Sequence, residues 1–260
     1  MKTSTRSLLA LVLALILAAC SSQGEDLAQY ETRVLFIGNS HTFHNDVPEM
    51  FENMARASGY SIEADMVAHG GWTLLDHAQS VDTTQKIRSV DWDYVVLQEQ
   101  SDVPSFSDSR YQEMFPAIRG LHNEISARGA ETVLFMTWGH RDGSLAESVG
   151  GYNAESAAIE FAYVKIGNEL DIPIAPVGVA CWNAMRGTSS LNLWLEDGNH
   201  ATEEGSYLAA SVLYNVIIGQ SPERNDYTAG IPDDWALFFQ TVAAETVSAN
   251  AARWNLRRPG

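Results

Sequence analysis

The chain has 260 residues, of which 45% are hydrophobic and 19% charged, with 33 acidic against 16 basic side chains. This length and composition predict one large globular domain and exclude a disordered, collagen-like or coiled-coil protein. The formal net charge of −17 argues against nucleic-acid binding, because affinity for phosphates depends on clustered Lys and Arg.

The N-terminus has the pattern of an export signal followed by a tether. Two basic residues precede an apolar run over residues 8–19, which is shorter than the roughly 20 residues that a membrane-spanning helix needs. We interpret residues 1–19 as a signal peptide and residues 20–28 as a tether. An ordinary signal peptide with an incidental Cys20 is the alternative interpretation.

The segment around Cys20 resembles the lipobox of bacterial lipoproteins. Small residues stand directly before Cys20, and a polar Ser-Ser-Gln-Gly stretch follows it. The resemblance implies that Cys20 is lipidated, becomes the mature N-terminus and anchors an exported protein to a membrane. Ser21 is similar to the outer-membrane sorting pattern of that family. The only other cysteine, Cys181, would then have no disulfide partner within the chain.

Downstream of the tether, short β-branched runs alternate with longer amphipathic stretches. This alternation is typical of βαβ units and predicts an α/β fold, a three-layer α/β/α sandwich with a central parallel sheet of about five strands. The predicted strands are 33–37, 61–67, 93–98, 132–137 and 174–179. The predicted helices are 46–58, 110–127, 154–170, 202–218 and 233–252.

Two glycine-containing segments follow the first two predicted strands. After the first strand, Gly38 permits a sharp exit and Ser40 falls just past the sheet edge, where a serine can act as a nucleophile. Its backbone N–H can also face a developing oxyanion. After the second strand, the paired glycines Gly70 and Gly71 let backbone N–H donors approach a ligand closely. Each segment is also ordinary turn chemistry, so neither identifies a site alone.

Two further segments carry polar side chains that would complete such a site. The third predicted strand turns abruptly polar, and an amide group of Gln98 or Gln100 could complete an anion-binding pocket. Asp197 and His200 stand three residues apart, which lets the carboxylate orient the imidazole while the other ring nitrogen faces a nucleophile. One parallel sheet could bring these groups together at the carboxyl ends of its strands.

These four segments resemble the sequence blocks of the SGNH hydrolases, the GDSL-like esterase and lipase superfamily. The resemblance spans nearly the whole mature chain and implies that residues 29–260 form a catalytic domain with a flavodoxin-like fold. It implies that Ser40 is the nucleophile, His200 the general base and Asp197 the carboxylate that orients it. It also implies an oxyanion hole that includes the backbone N–H groups of Ser40 and Gly71.

One block departs from the family's pattern. The third block of the family ends in Gly-x-Asn-Asp, in which the asparagine donates to the oxyanion, whereas residues 98–102 are Gln-Glu-Gln-Ser-Asp. This run resembles the Gln-Gly-Glu-Ser block of the sialate and carbohydrate acetylesterase branch. The resemblance implies that Gln98 takes the place of the donor, with Gln100 as the alternative.

Aromatic and polar residues near the predicted strand ends are candidates for substrate binding. Trp138 and His140 follow the fourth predicted strand and can line the cleft, as can Gln100. For Trp138, an aromatic cap on the sheet edge is an equal alternative. Trp182 and Trp194 fall in predicted loops near the site, where aromatic faces would suit a sugar ring.

Together these features predict a lipid-anchored serine esterase that removes small acyl groups, acetyl first among them, from a carbohydrate or small-molecule ester. No cofactor or metal ion is expected, since His41 and His44 are the only closely spaced histidines and no His-Glu-x-x-His motif occurs. The Gly-x-Ser-x-Gly elbow of α/β-hydrolases is also absent from the sequence. The alternatives are a lysophospholipase or thioesterase of the same fold and a non-catalytic, glycan-binding envelope lipoprotein.

Overall fold

The computed structural model of this chain describes residues 32–143, 152–188 and 191–256. The predicted signal peptide, the tether and Cys20 lie outside these residues. From Thr32 onward the described chain belongs to one compact unit. None of the helices in its described part is long and apolar enough to cross a membrane.

A parallel sheet of five strands lies at the centre, in the order β2-β1-β3-β4-β5. The strands are β1 (Thr32–Gly38), β2 (Ile62–Ala68), β3 (Tyr94–Gln98), β4 (Glu131–Phe135) and β5 (Ile174–Ala175). In the register of the sheet, Ile37 of β1 lies between Val67 of β2 and Leu97 of β3. The carboxyl ends of these strands therefore meet at one edge, and the predicted α/β sandwich is confirmed.

Helices pack on both faces of the sheet. They are α1 (Ser40–Phe43), α2 (Val47–Ala57), α3 (Leu74–Gln79), α4 (Val81–Ser89), α5 (Phe115–Ser126), α6 (Tyr152–Leu170), α7 (Val177–Gly187), α8 (Glu203–Ile218) and α9 (Asp233–Ala249). A 3-10 turn (Val103–Ser105), a one-turn helix (Ser107–Ser109) and a π-helical turn (Arg110–Met114) lead into α5.

The core is divided into two layers by the sheet. Successive side chains of a strand point to opposite faces, so Phe36 packs with α2, α8 and α9, whereas Ile37 packs with α3, α5 and α6. Both side chains are completely buried. Burial on both faces explains why β1, β3 and β4 contain continuous apolar runs. The edge strand β2 is only partly buried, and acidic residues interrupt its apolar sequence.

Several predicted boundaries differ from the structure. The fifth strand was predicted over 174–179, but it ends at Ala175 because Pro176 follows and α7 begins at Val177. Trp182 consequently lies on a helix and not in a loop. The predicted helix 110–127 begins as the π-helical turn. The short helices α1, α3 and α4 were not predicted, since they are too brief to show a helical period of apolar residues.

Candidate active site

The turn that presents Ser40 is held from both sides. Asn39 caps the short helix α1: its Oδ1 accepts the backbone N–H of His41 at 3.1 Å, and its Nδ2 donates to the carbonyl of Trp72 at 2.9 Å. The second bond ties the turn to the loop that follows β2. On the strand side, the ring of His77 bonds the carbonyl of Gly38 at 2.8 Å. Ser40 thus leaves the sheet edge in a defined direction.

Ser40, His200 and Asp197 form a continuous hydrogen-bonded chain. The Oγ of Ser40 lies 2.9 Å from Nε2 of His200, and Nδ1 of His200 lies 2.6 Å from Oδ2 of Asp197. The other carboxylate oxygen of Asp197 accepts the backbone N–H groups of Asn199 and His200 at 2.9 and 3.0 Å. Burial raises the pKa of Asp197, but these hydrogen bonds from His200 and Asn199 outweigh it and lower the pKa to about 2.

An ionised Asp197 determines the tautomer of His200. The carboxylate can only accept, so Nδ1 of His200 carries the proton and Nε2 is free to accept the hydroxyl proton of Ser40. This is the arrangement that a serine nucleophile with a general base requires. The sequence-predicted catalytic residues therefore come together although Ser40 and His200 are 160 positions apart.

Ser40 and His200 line a cavity of about 420 Å³ at the carboxyl edge of the sheet, together with Gly70 and Gly71. Gly71 has a φ of +74°, in the left-handed region that favours glycine. Directly after this loop, Thr73 and Asp76 form a capping box that begins α3. Among the described residues, the backbone N–H groups of Ser40 and Gly71 have no protein acceptor, so both can donate to a ligand.

No family model and no curated protein matches the sequence. A candidate SGNH hydrolase from Slackia heliotrinireducens is 28% identical over 72% of this chain and 100% of its own, with a TM-score of 0.61. The chain belongs to the SGNH hydrolase superfamily. This confirms the predicted superfamily and, at the level of a hydrolase, the predicted enzyme class.

Two other solved structures also share the fold of this chain. A DUF4886 family protein from Bacteroides uniformis is 20% identical, covers 84% of this chain and 95% of its own, and has a TM-score of 0.73. A catalytic mutant of an acetylxylan esterase from Geobacillus stearothermophilus is 13% identical, covers 75% and 99% of the two chains, and has a TM-score of 0.57.

The sequence resemblance implies that Gln98 is a donor in the oxyanion hole. In the structure, both of its amide hydrogens are donated to protein acceptors. The Nε2 group donates to Oδ1 of Asn39 at 3.0 Å and to the carbonyl of Glu99 at 2.6 Å. Its Oε1 accepts from the backbone N–H of Asn39 and the hydroxyl of Thr42. With 1% of its surface exposed, Gln98 shapes the nucleophile turn and offers no donor to an oxyanion in this geometry.

Gln100, the alternative donor, lines the cavity. Its Oε1 accepts the backbone N–H of Asp102 at 2.8 Å, and its Nε2 makes a long 3.3 Å contact with the carboxylate of the same residue. The second amide hydrogen of Gln100 has no acceptor among the described residues. Gln100 can therefore contact a substrate from the end of β3.

Trp138, a predicted substrate-binding residue, instead supports the loop that carries Asp197 and His200. It is 3% exposed, lies outside the lining of the cavity, and donates from Nε1 to the carbonyl of Asn199 at 2.9 Å. Trp194 is also buried, and its Nε1 donates to the carbonyl of Gly139 at 3.2 Å. Both buried indoles therefore connect the loop after β4 with the segment that contains Asp197 and His200.

His140, the other candidate after β4, is paired with a buried carboxylate. Both oxygens of Glu155 accept from His140, at 2.8 Å from Nδ1 and 3.1 Å from the backbone N–H. The hydrogen bond to Glu155 raises the pKa of His140, although burial opposes it. Asp102 is the third member of this cluster, 3.9 Å from Nδ1, and the three side chains could hold a cation. The Glu155–His140 pair is nonetheless satisfied by its own two hydrogen bonds.

Three residues beside the motif positions had no role assigned from the sequence. His41 is buried against Trp138, with ring centroids 4.5 Å apart, and burial lowers its pKa to about 3. Asn199, which stands between Asp197 and His200 in the sequence, lines the cavity. Glu99 is completely buried, and burial raises its pKa to about 8. Each of the three stands directly beside a predicted site residue, Ser40, His200 or Gln98, and this position was the only sequence signal that could have identified it.

Proposed function

We propose that this SGNH hydrolase is a serine esterase that removes small acyl groups, acetyl first among them, from a carbohydrate substrate. The observation that carries the proposal is the chain of two hydrogen bonds, 2.9 and 2.6 Å long, that joins Ser40 through His200 to Asp197. The chain opens into a cavity that also presents unpartnered backbone N–H donors of the described loops.

In the first half of the proposed reaction, Oγ of Ser40 attacks the ester carbonyl carbon while its proton passes to Nε2 of His200. The π electrons of the carbonyl move onto its oxygen, and the N–H groups of Ser40 and Gly71 stabilise the resulting oxyanion. Asp197 stabilises the imidazolium that forms. Collapse of the intermediate breaks the bond to the leaving alcohol, which takes the proton from His200.

In the second half, a water molecule replaces the alcohol. His200 accepts a proton from the water as it attacks the acyl-serine carbonyl. The second tetrahedral intermediate collapses, the acid leaves, and the proton returns to Oγ of Ser40. The atoms balance as one ester and one water giving one acid and one alcohol, and no cofactor takes part in this scheme.

The lining of the cavity supports a small acyl group. Of the described residues that line it, Phe43 is the only large apolar side chain, and the others are polar or glycine. A long acyl chain gains about 0.8 kcal/mol of binding free energy for each methylene that it buries against an apolar wall. This cavity provides little such wall, which favours acetyl over long-chain esters.

Aromatic faces near the cavity support a sugar as the alcohol part of the substrate. Phe43 is 39% exposed. Trp72 is half-buried beside Gly71, and the exposed ring of His69 lies against it in a tilted arrangement, with ring centroids 4.1 Å apart. Flat apolar rings with a polar edge pack well against sugar rings. The fold shared with an acetylxylan esterase makes an acetylated glycan the first substrate class to test.

Hydrolysis of 4-nitrophenyl acetate by wild type and Ser40→Ala tests the mechanism. We expect Ser40→Ala to lose at least a thousandfold in kcat, while Ser107→Ala, at an exposed serine outside the cavity, keeps wild-type activity. A fluorophosphonate probe should label wild type and Ser107→Ala but not Ser40→Ala. Equal activity of Ser40→Ala and wild type would refute the mechanism, and an unreactive wild type would favour a non-catalytic, glycan-binding lipoprotein.

Hydrolysis of esters of increasing acyl length distinguishes a small-acyl esterase from a lysophospholipase or thioesterase of the same fold. We expect kcat/KM to be highest for the acetyl ester and to fall at least tenfold by the octanoyl ester. The same series on acyl thioesters and lysophospholipids provides the comparison. A preference for long chains or thioesters would favour a lysophospholipase or thioesterase.

We also propose that the protein is exported and anchored through lipid on Cys20, as the lipobox resemblance implies. Metabolic labelling with an alkyne fatty acid should mark the wild type, whereas Cys20→Ser should be unlabelled. Membrane fractionation should find wild type in the outer-membrane fraction. Labelling that persists in Cys20→Ser would contradict the anchor.

A further inference from the structure

The oxyanion hole inferred above contains two backbone donors, and Gln98 does not supply a third. We propose that Asn199 supplies it: the side-chain amide of Asn199 donates from Nδ2 to the oxyanion beside the N–H groups of Ser40 and Gly71. This inference rests on the proposed function, since it concerns the same reaction. It adds a catalytic residue within the Asp197–His200 segment itself.

The backbone of Asn199 is fixed on both sides. Its N–H donates to Oδ1 of Asp197 at 2.9 Å, and its carbonyl accepts Nε1 of Trp138 at 2.9 Å. Asn199 lines the same cavity as Ser40, Gly71 and His200. An amide on this backbone therefore has a defined place beside the nucleophile.

The orientation of the amide follows from two donors that lie behind it. Oδ1 of Asn199 is 3.2 Å from Nε2 of His41 and 3.4 Å from Oγ of Ser101. Ser101 is buried, and Oδ1 of Asn199 is the acceptor that its hydroxyl has among the described residues. His41 is neutral at physiological pH because burial lowers its pKa to about 3, and it can carry its single N–H at Nε2.

With its oxygen held by His41 and Ser101, Asn199 has its NH₂ group on the other branch of the amide. No acceptor among the described residues takes a hydrogen bond from Nδ2 of Asn199, so both of its hydrogens are available to a ligand in the cavity. The ring of His41 cannot turn away easily, since it is stacked on Trp138 with an interplanar angle of 16°. The donor is therefore preorganised, which is what stabilisation of a developing charge requires.

The expected effect is on the chemical step. A hydrogen bond that strengthens as charge develops on the carbonyl oxygen lowers the barrier without tightening the substrate complex. Loss of one oxyanion donor typically lowers kcat by about 10² to 10³. We therefore expect Asn199→Ala to lower kcat for 4-nitrophenyl acetate by about a hundredfold, with KM within a factor of three of wild type.

Asn199→Asp is the second variant, because it keeps the shape of the side chain and replaces the donor by an acceptor. It should lose at least as much kcat as Asn199→Ala. Asn123→Ala, at an exposed asparagine on α5, is the matched control and should behave as wild type. Circular dichroism and Tm of each variant are measured in parallel.

The outcomes separate this inference from the proposed function. If wild type shows no Ser40-dependent hydrolysis, the proposed function fails and Asn199 has no reaction to assist. If wild type is active but both Asn199 variants fold and keep kcat within threefold, or raise only KM, this inference alone is wrong. It is also wrong if Gln100→Ala shows the loss of kcat and the two Asn199 variants do not.

Discussion

Gly38 and Gln98 lie so close together that a β-carbon on residue 38 would overlap Oε1 of the glutamine. The same oxygen accepts the backbone N–H of Asn39 at 2.8 Å and the hydroxyl of Thr42 at 2.9 Å. The end of β1 is therefore shaped around an amide from β3, and Ser40 follows two residues later. The glycine is needed for close approach and not for an unusual φ.

Gly38→Ala should damage activity and stability together. The added methyl group meets Oε1 of Gln98 and Oγ1 of Thr42, so the turn must move and Ser40 with it. We expect kcat/KM to fall at least tenfold and the free energy of unfolding to fall by about 1–3 kcal/mol, as for other overpacked sites. Urea unfolding and ester hydrolysis measure the two effects.

The control for this prediction is Gly120→Ala, at an exposed position on α5 where a β-carbon meets nothing within 4 Å. Alanine is the better helix former, so this variant should gain about 0.5–1 kcal/mol and keep its activity. A Gly38→Ala protein as stable and active as Gly120→Ala would show that the close packing of Gly38 against Gln98 affects neither stability nor activity.

Asp197→Asn should abolish most of the catalysis without unfolding the protein. Asparagine keeps the shape but cannot stabilise the imidazolium of His200, so kcat should fall by about 10² to 10⁴. The lowered pKa of Asp197 contributes stability that is present above its ordinary value of 3.8 and is lost as pH falls toward about 2. Asp197 is about half exposed, so this part should be below about 1 kcal/mol.

Unfolding measured at pH 3 and at pH 6 checks the second half of the prediction. The difference in stability between the two pH values should be smaller in Asp197→Asn than in wild type. A variant with unchanged kcat would contradict the assigned role of Asp197 whatever its stability.

Glu99→Gln should change how stability depends on pH. Glu99 is fully buried, its Oε1 accepts the backbone N–H groups of Leu74 and Gln100, and burial raises its pKa to about 8. Its neutral form stabilises the fold below the ordinary pKa of 4.5, and this contribution is lost as pH rises through about 8. Glutamine keeps an acceptor oxygen at this site and does not titrate.

Relative to wild type, Glu99→Gln should therefore gain stability as pH rises from 5 to 9, by roughly 1–4 kcal/mol. Urea unfolding of both proteins across this range measures the difference. Parallel curves for the two proteins would mean that Glu99 does not take up a proton on folding.

Cys181 should be inert in the folded protein. It lies on α7, is 2% exposed and belongs to the core layer that also contains α8 and α9. Burial raises its pKa to about 12, so the reactive thiolate is almost absent at neutral pH. Iodoacetamide should leave the Cys181 peptide unmodified in buffer and alkylate it in 6 M guanidinium chloride, as followed by mass spectrometry. Rapid alkylation in buffer would show that this part of the core opens readily.

Local patterns in the sequence were sufficient to predict the parallel sheet and most of its helices, and the resemblance of four short segments was sufficient to predict the superfamily. Runs of apolar residues mark strands that are buried on both faces, and turn residues mark their ends, because both properties depend on neighbours along the chain. The same reasoning failed at 174–179, where an apolar stretch continues from β5 into α7. Apolar content alone does not separate a short buried strand from the first turn of a buried helix.

Contacts between distant segments determine which side chains of the site face the cavity and which are bound by neighbouring residues. The motifs pointed to Ser40, Asp197 and His200, but the amide of Gln98 is occupied by Asn39, 59 positions away, and Trp138 is buried beneath Asn199, 61 positions away. Whether a polar side chain faces a ligand or a neighbour depends on which hydrogen-bond partners the fold brings within about 3 Å, and no spacing along the chain encodes that distance.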